Sequence, residues 1–174
     1  GSIMAAGATY KPIATNTLTG TATSVTFSSI PSTYTDLVVV QTFPNSQTTG
    51  PYTAFQFNGD TGTNYSSTYL VAYNGSLDGT GTTNIANIRL GNSSYLANSV
   101  CITHIMNYAN TTTYKTVVSR VNFGQPSAGM RESAINVGMW RSTSAINEVK
   151  ILVALSASSF VSGSTFTLYG IAAA

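Results

Sequence analysis

Short blocks of apolar residues follow one another along the whole chain, and no stretch shows a helical period beyond about two turns. The blocks are rich in Val, Ile, Thr, Tyr and Phe, which pleated, half-buried surfaces prefer. Turn residues such as Asn58-Gly59 and Ser162-Gly163 separate them. The pattern predicts strands at 24–30, 36–43, 53–58, 68–73, 85–90, 100–106, 114–122, 134–140, 149–155 and 165–171. About ten strands at this spacing predict an all-β protein, an antiparallel two-sheet sandwich in a single domain over residues 4–174.

The distribution of apolar residues within strands also predicts how they are covered. Ile135 and Val137 alternate with Asn136 and Gly138, which is typical of a strand with two different faces. By contrast, residues 37–40 and 151–155 are apolar on both faces. Such a strand must be covered twice. In a two-sheet sandwich one cover is the core, and the other is either a neighbouring subunit or a loop. We therefore expect a homo-oligomer.

Charge is scarce in this chain. Only 7% of its 174 residues are charged, against about a quarter in an average soluble domain. Hydroxyl and amide groups supply the polarity instead, and they cost less to desolvate than ions when two surfaces meet. Such a surface suits permanent assembly or contact with neutral sugars. The few basic residues form no cluster, so nucleic-acid binding is not expected, and no apolar run approaches the ~18 residues of a membrane span.

The first residues and the single cysteine support two simple expectations. Gly1, Ser2 and Ile3 precede Met4 and resemble a cloning scar, so we expect Met4 to be the native start of a small complete protein. No basic segment precedes an apolar one, as a secretory signal would require. Cys101 lies in an apolar run and is expected to be a buried, inert thiol.

Candidate chemistry is sparse, which favours a protein that is not an enzyme and needs no cofactor. His104 is the only histidine, and the five acidic residues are scattered along the chain. Nucleophilic triads need a base, and glycosidases need two neighbouring carboxylates. The segment 58–64 contains Asp60, a weak candidate for a calcium ligand because Ca²⁺ prefers carboxylate, amide and backbone oxygens. The same segment can also be read as a tight turn held by side-chain hydrogen bonds.

Five residues are candidates for ligand binding. Three tyrosines surround a predicted hairpin, and a Trp-Arg pair ends a predicted strand: Tyr65, Tyr69, Tyr73, Trp140 and Arg141. An aromatic ring face beside amides and hydroxyls is typical of neutral-sugar sites. The alternative is that these rings pack in the sandwich or at a subunit interface.

Several dispersed strings resemble one known family. They are YKPIAT (10–15), SSIPSTYTDL (28–37), NGDTGTNYS (58–66), NYANTTTYK (107–115), WRST (140–143) and GSTFTLYGI (163–171). Together they resemble small virion structural proteins of tailed bacteriophages, especially marine and cyanobacterial phages. The resemblance implies a jelly-roll-like domain located on the virion, as a tail-fibre or appendage component that is usually trimeric. It implies no catalytic residue.

These observations predict a non-enzymatic phage virion protein of the tail-fibre or appendage type that contacts other virion proteins and host-surface glycans. No shaft-like segment accompanies the domain in this sequence, so a capsid decoration (cement) protein is an alternative. A free-standing carbohydrate-binding module is a second alternative.

Overall fold

A computed structural model describes residues 9–44, 52–73, 75–92, 99–125, 130–154 and 159–172. Within these ranges the chain forms strands and no helix. The strands are β1 (Tyr10–Thr17), β2 (Ser24–Phe27), β3 (Asp36–Phe43), β4 (Tyr52–Phe57), β5 (Tyr65–Tyr73), β6 (Ser76–Ile85), β7 (Ile88–Asn92), β8 (Ser99–Met106), β9 (Lys115–Gln125), β10 (Met130–Trp140), β11 (Val149–Val153) and β12 (Thr165–Ile171). The predicted cloning scar, Met4 and Leu155 lie outside the described residues.

Two antiparallel sheets of unequal size form the fold. The larger has eight strands in the order β1-β12-β3-β8-β9-β10-β5-β6, and the smaller has four in the order β2-β11-β4-β7. The prediction of an all-β antiparallel sandwich is confirmed, with twelve strands in place of about ten. The jelly-roll connectivity stays a prediction.

Aromatic side chains fill one end of the hydrophobic core. Phe43, Phe160 and Phe166 are buried, and their ring centroids lie 4.9 to 5.8 Å apart. Rings at this separation contribute attraction beyond the burial of their area. Phe43 belongs to β3 and Phe166 to β12, so the cluster fixes neighbouring strands of the larger sheet around a common centre.

Strands with many β-branched residues were predicted well, and the two edge strands of the larger sheet were not. β3 and β12 have the predicted bounds. The predicted strand 85–90 is wrong, because Ile85 ends β6 whereas Ile88 begins β7. β1 and β6 were missed. They form the two edges of the larger sheet, and most of their residues are exposed, so their sequences lack the apolar repeat that marks a half-buried strand.

Side chains of the larger sheet donate hydrogen bonds to backbone carbonyls of β7, an edge strand of the smaller sheet. Ser119 Oγ and Asn136 Nδ2 both donate to the carbonyl oxygen of Leu90, each at 2.8 Å. Ser67 Oγ donates to the carbonyl oxygen of Arg89 at 3.2 Å. These three polar side chains are buried. Since a buried carbonyl without a partner is costly, the larger sheet must present polar groups at this place.

This arrangement explains the orientation of β10. The alternation in 135–139 is present, but Asn136 and Gly138 face the core, while Ile135 and Val137 are 54% and 49% exposed. Hydrophobic burial alone would favour the opposite orientation. Asn136 is needed inside as a donor to β7, and a methyl group at position 138 would overlap the side chain of Ile88. The aliphatic residues of β10 therefore point outward.

The two strands predicted to be covered on both faces differ from each other. In β3, Leu37, Val38 and Val39 are all buried within the single chain, so no neighbouring subunit is needed to cover Val38. In β11, Ile151 is buried, whereas Val153 is only partly so. The expected oligomer contact therefore does not depend on the outer side of β3 at Val38.

Candidate functional site

The turn that follows β4 is joined by hydrogen bonds to a loop that is distant in the sequence. Asn58 and Gly59 both adopt left-handed backbone conformations, with φ of 51° and 68°. The Asn58 side chain donates to the carbonyl of Ala145 at 2.8 Å and accepts the backbone N–H of Asn147 at 2.9 Å. Asparagine tolerates the left-handed region and bonds to nearby backbone. Asn58 therefore joins the turn to the loop that precedes β11.

The carboxylate of Asp60 is the centre of the polar contacts at this turn. It accepts the Gly62 N–H on Oδ1 at 2.8 Å, and Asn64 Nδ2 and Trp140 Nε1 on Oδ2 at 3.0 and 2.7 Å. Burial raises the pKa of Asp60, but the hydrogen bonds from Trp140, Asn64 and Gly62 outweigh it, and the pKa is lowered from 3.8. The ionised form is thus the one that the fold stabilises.

The calcium interpretation of segment 58–64 does not match this geometry. Both Asp60 oxygens already face N–H donors, which a cation would have to displace. Among the residues that the structure describes, no group of three or more His, Cys, Asp or Glu could hold a metal ion. Asp60 acts instead as the acceptor of a turn held by side-chain hydrogen bonds, which was the alternative interpretation of the same segment.

Tyr65 and Trp140, two of the predicted ligand contacts, lie inside the protein. They are 0% and 3% exposed, and their rings are stacked with centroids 6.3 Å apart. The Tyr65 hydroxyl donates to the carbonyl of Asp60 at 2.8 Å and accepts the N–H of Phe57 at 3.1 Å. Burial raises the pKa of Tyr65 to about 12. Neither ring offers a face to a sugar, so the structure corrects the prediction for both residues in favour of core packing.

Arg141 also stabilises the turn after β4, through hydrogen bonds made from a partly exposed position. Its Nη2 donates to the carbonyl of Thr63 at 2.6 Å and to Asn84 Oδ1 at 2.8 Å. The Arg141 backbone N–H also donates to the carbonyl of Asn64 at 2.8 Å. The guanidinium therefore joins the turn after β4 to the end of β6. The structure brings Tyr65, Trp140 and Arg141 together near Asp60. Their hydrogen bonds hold the turn in place, and we call this arrangement the framework.

Tyr69 lies apart from this framework. Its ring faces the guanidinium of Arg89, whose Cζ lies 5.5 Å from the Tyr69 centroid and 3.4 Å from that of Tyr52. Both distances suit cation–π attraction. Tyr69 is partly exposed, and the Tyr73 side chain lies outside the described residues. Of the five predicted ligand residues, Tyr69 is thus the one whose ring is seen at the surface.

Two buried residues, Cys101 and Lys115, carry ionisable side chains. Burial raises the pKa of the Cys101 thiol, as expected of an inert cysteine. Lys115 is fully buried, which the sequence reading missed, and its Nζ donates to the carbonyls of Thr113 and Thr143 at 2.8 and 3.2 Å. Burial lowers the pKa of Lys115 from 10.5. The ammonium links the two loops at the Asp60 end of the sandwich; only its inward position on β9 could have indicated this.

The outer face of the larger sheet carries an unforeseen apolar surface. Neighbouring strands from β8 to β6 place aliphatic side chains side by side on the solvent face, and we call this set the outer aliphatic face: Val100, Ile102, Val118, Ile135, Val137, Leu70 and Leu77. A groove of about 460 Å³ runs across it. Monomeric proteins rarely expose large contiguous apolar patches without a function.

Comparison with known proteins leaves the function to be argued from this geometry. No protein-family model matches the chain, and no curated protein matches it. In the part of the chain that the structure describes, no helix is long and apolar enough to cross a membrane.

Proposed function

We propose that the protein is a non-enzymatic structural component of a tailed-bacteriophage virion, of the tail-fibre or appendage type. One observation carries the proposal: five strands of the larger sheet present aliphatic side chains to solvent in a chain with only 7% charged residues. A patch of this kind marks a protein interaction site. A surface of hydroxyls and amides around it is readily desolvated in a permanent assembly.

The hydrogen-bond framework around Asp60 supports a structural role. Three of the five predicted ligand residues, Tyr65, Trp140 and Arg141, are engaged in hydrogen bonds that hold turns. Two of the strings that resemble phage virion proteins, 58–66 and 140–143, meet in this framework through the bond between Asp60 and Trp140. The resemblance therefore involves residues that build the domain.

Contact with host-surface glycans has weaker support than assembly. The rings of Tyr65 and Trp140 are buried, and the Arg141 guanidinium is engaged. A glycan contact would fall to the region of Tyr69. Retention of the purified protein on host cells, lost in Tyr69→Ala but kept in Tyr114→Ala, would support it; equal retention of all three proteins would remove Tyr69 from this role.

Quantitative proteomics of purified phage particles tests the proposed function. A tail-fibre or appendage component is expected in tens of copies per particle. Hundreds of copies would identify a capsid decoration protein instead. Absence from particles would overturn the virion role and favour the free-standing binding module.

A further inference from the structure

We propose that the outer aliphatic face binds a second copy of this chain, with the two larger sheets packed face to face. The proposal deepens the assembly role proposed above and rests on it for its biological meaning. The association itself is a property of the purified protein, so it can be tested without any virion.

The shape of the outer aliphatic face favours a second copy of the chain as its binding partner. Leu70 and Leu77 form one side of the groove, and Val100 and Ile102 form the other. In the row of the sheet that joins Leu77 to Val100, the intervening residues are Ala72, Ser133 and Asn122; in the neighbouring row, Ile135 and Arg120 lie between Leu70 and Ile102. In a two-fold arrangement, the leucine ridge of each copy enters the groove of the other. Two sheets can pack in this way about 10 Å apart.

The exposed apolar area matches the apolar part of a self-interface, which is a little over half of its total. Leu77 is 87% exposed, Leu70 66% and Val100 42%, and Ile135 and Val137 are each about half exposed. These side chains expose apolar surface on the order of 500 Å², near the upper limit for a monomer's largest patch. A stable interface buries about 800 Å² per partner. Exposed Thr68 and Thr116 beside the patch supply part of a polar rim.

The charges of the face also favour a copy of the chain over a highly charged partner. Among the groove-lining residues whose side chains the structure describes, Arg120 is the one that carries a charge. An acidic macromolecule would need several basic groups here, and a basic one would need acids. Two copies of this chain approach with little repulsion, and arginine is enriched at interfaces.

Two of the four sheet edges, β1 and β7, are poorly suited to the addition of another strand. At β1, Lys11, Pro12 and a bulge between Pro12 and Ala14 all discourage the addition of another strand. At β7, side chains of the larger sheet already satisfy the carbonyls of Arg89 and Leu90. The remaining edge of the larger sheet, β6, adjoins the outer aliphatic face and contributes Leu77 to it.

Sedimentation velocity over a range of micromolar concentrations tests the proposal. The wild-type protein is expected to form a dimer. Leu70→Asp and Ile135→Asp each place a charge in the interface and should raise the dissociation constant about a hundredfold. Thr26→Asp is the matched control, because it adds the same charge on the exposed outer side of β2 in the smaller sheet. It should leave the oligomer unchanged.

The outcomes test the proposed surface independently of the proposed virion role. Circular dichroism and thermal melts establish that each variant is folded; if Leu70→Asp is not, Leu77→Asp, at the most exposed position of the face, replaces it. A wild-type protein that stays monomeric, or an oligomer insensitive to both substitutions, overturns the proposed surface. An oligomer disrupted as expected supports it, even if the protein is absent from phage particles and the virion role fails.

Discussion

Trp140 donates its indole N–H to the carboxylate of Asp60 across 2.7 Å, although the two residues are 80 positions apart in the chain. The bond joins the end of β10 to the turn after β4, and so connects the two sheets at one end of the sandwich. Because the carboxylate also accepts bonds from Gly62 and Asn64, the loss of its charge should loosen the whole turn.

Asp60→Asn should lower the free energy of unfolding by about 1–3 kcal/mol, because an amide in place of the carboxylate leaves donors facing each other. Urea denaturation at neutral pH measures the change. Asp78→Asn is the matched control, since the exposed Asp78 accepts only the N–H of Gly79 among the described contacts. We expect this control to stay within about 0.5 kcal/mol of wild type.

The stability of the wild-type protein should also depend on the ionisation of Asp60. Its pKa is lower in the folded protein than its usual 3.8, because hydrogen bonds to the carboxylate outweigh its burial. The stabilisation is therefore fully present above pH 3.8 and is lost as the pH falls through the folded pKa. Asp60→Asn should remove this component of the acid dependence, and an unchanged acid profile would contradict it.

Gly138→Ala should destabilise the protein by about 1–3 kcal/mol, because the new methyl group would overlap the side chain of Ile88 in a packed core. Ile88→Ala in the same chain makes room, so the double variant should be more stable than the sum of the two single effects predicts. Gly20→Ala is the control, since nothing lies within 4 Å of the added carbon. Additive effects at 138 and 88 would mean that the two residues do not touch.

Lys115→Met should lower the free energy of unfolding at neutral pH by about 1–3 kcal/mol, because the carbonyls of Thr113 and Thr143 lose their buried donor. Burial lowers the pKa of Lys115, so the folded protein binds this proton less tightly than the unfolded chain does. Wild-type stability should therefore rise, relative to the variant, as the pH increases towards 10.5. Lys150→Met is the control at a partly exposed position; equal pH profiles for wild type and Lys115→Met would refute the prediction.

Ser119→Ala and Asn136→Leu should each cost about 1 kcal/mol, because the Leu90 carbonyl keeps one donor in either variant. The double variant removes both donors. Its cost should exceed the sum of the two single costs, since a buried carbonyl without any partner carries the full penalty of desolvation. Denaturation of all four proteins measures the coupling, and strict additivity would show that water or another group replaces the missing donors.

The sequence predicts the fold class well because β-branched residues and turns are local signals. The bounds of β3 and β12 follow from their runs of Val, Leu, Thr and Phe. β6 escapes such reasoning, since a mainly exposed edge strand needs no apolar face. Alternation shows that β10 has two different faces, but it cannot show which of them is inside. That choice depends on Leu90, a residue of another strand.

Several residues of the candidate site were selected from the sequence, but for other roles. Tyr65, Asp60, Trp140 and Arg141 were all selected from the sequence, and the structure brings them together. Nothing local distinguishes a tryptophan at a loop rim from one buried against a distant aspartate. The buried position of Lys115 was missed for the same reason, because its carbonyl partners include Thr143 on another loop.

The two faces of β10 have different roles, and this affects which of its residues can change between related sequences. Asn136 and Gly138 face the core of the domain, whereas Ile135 and Val137 are about half exposed on its outer face. Related chains could therefore exchange the residues at 135 and 137, and with them the identity of the neighbour, at little risk to folding. Substitutions in this one strand could in this way change the binding partner while the fold stays the same.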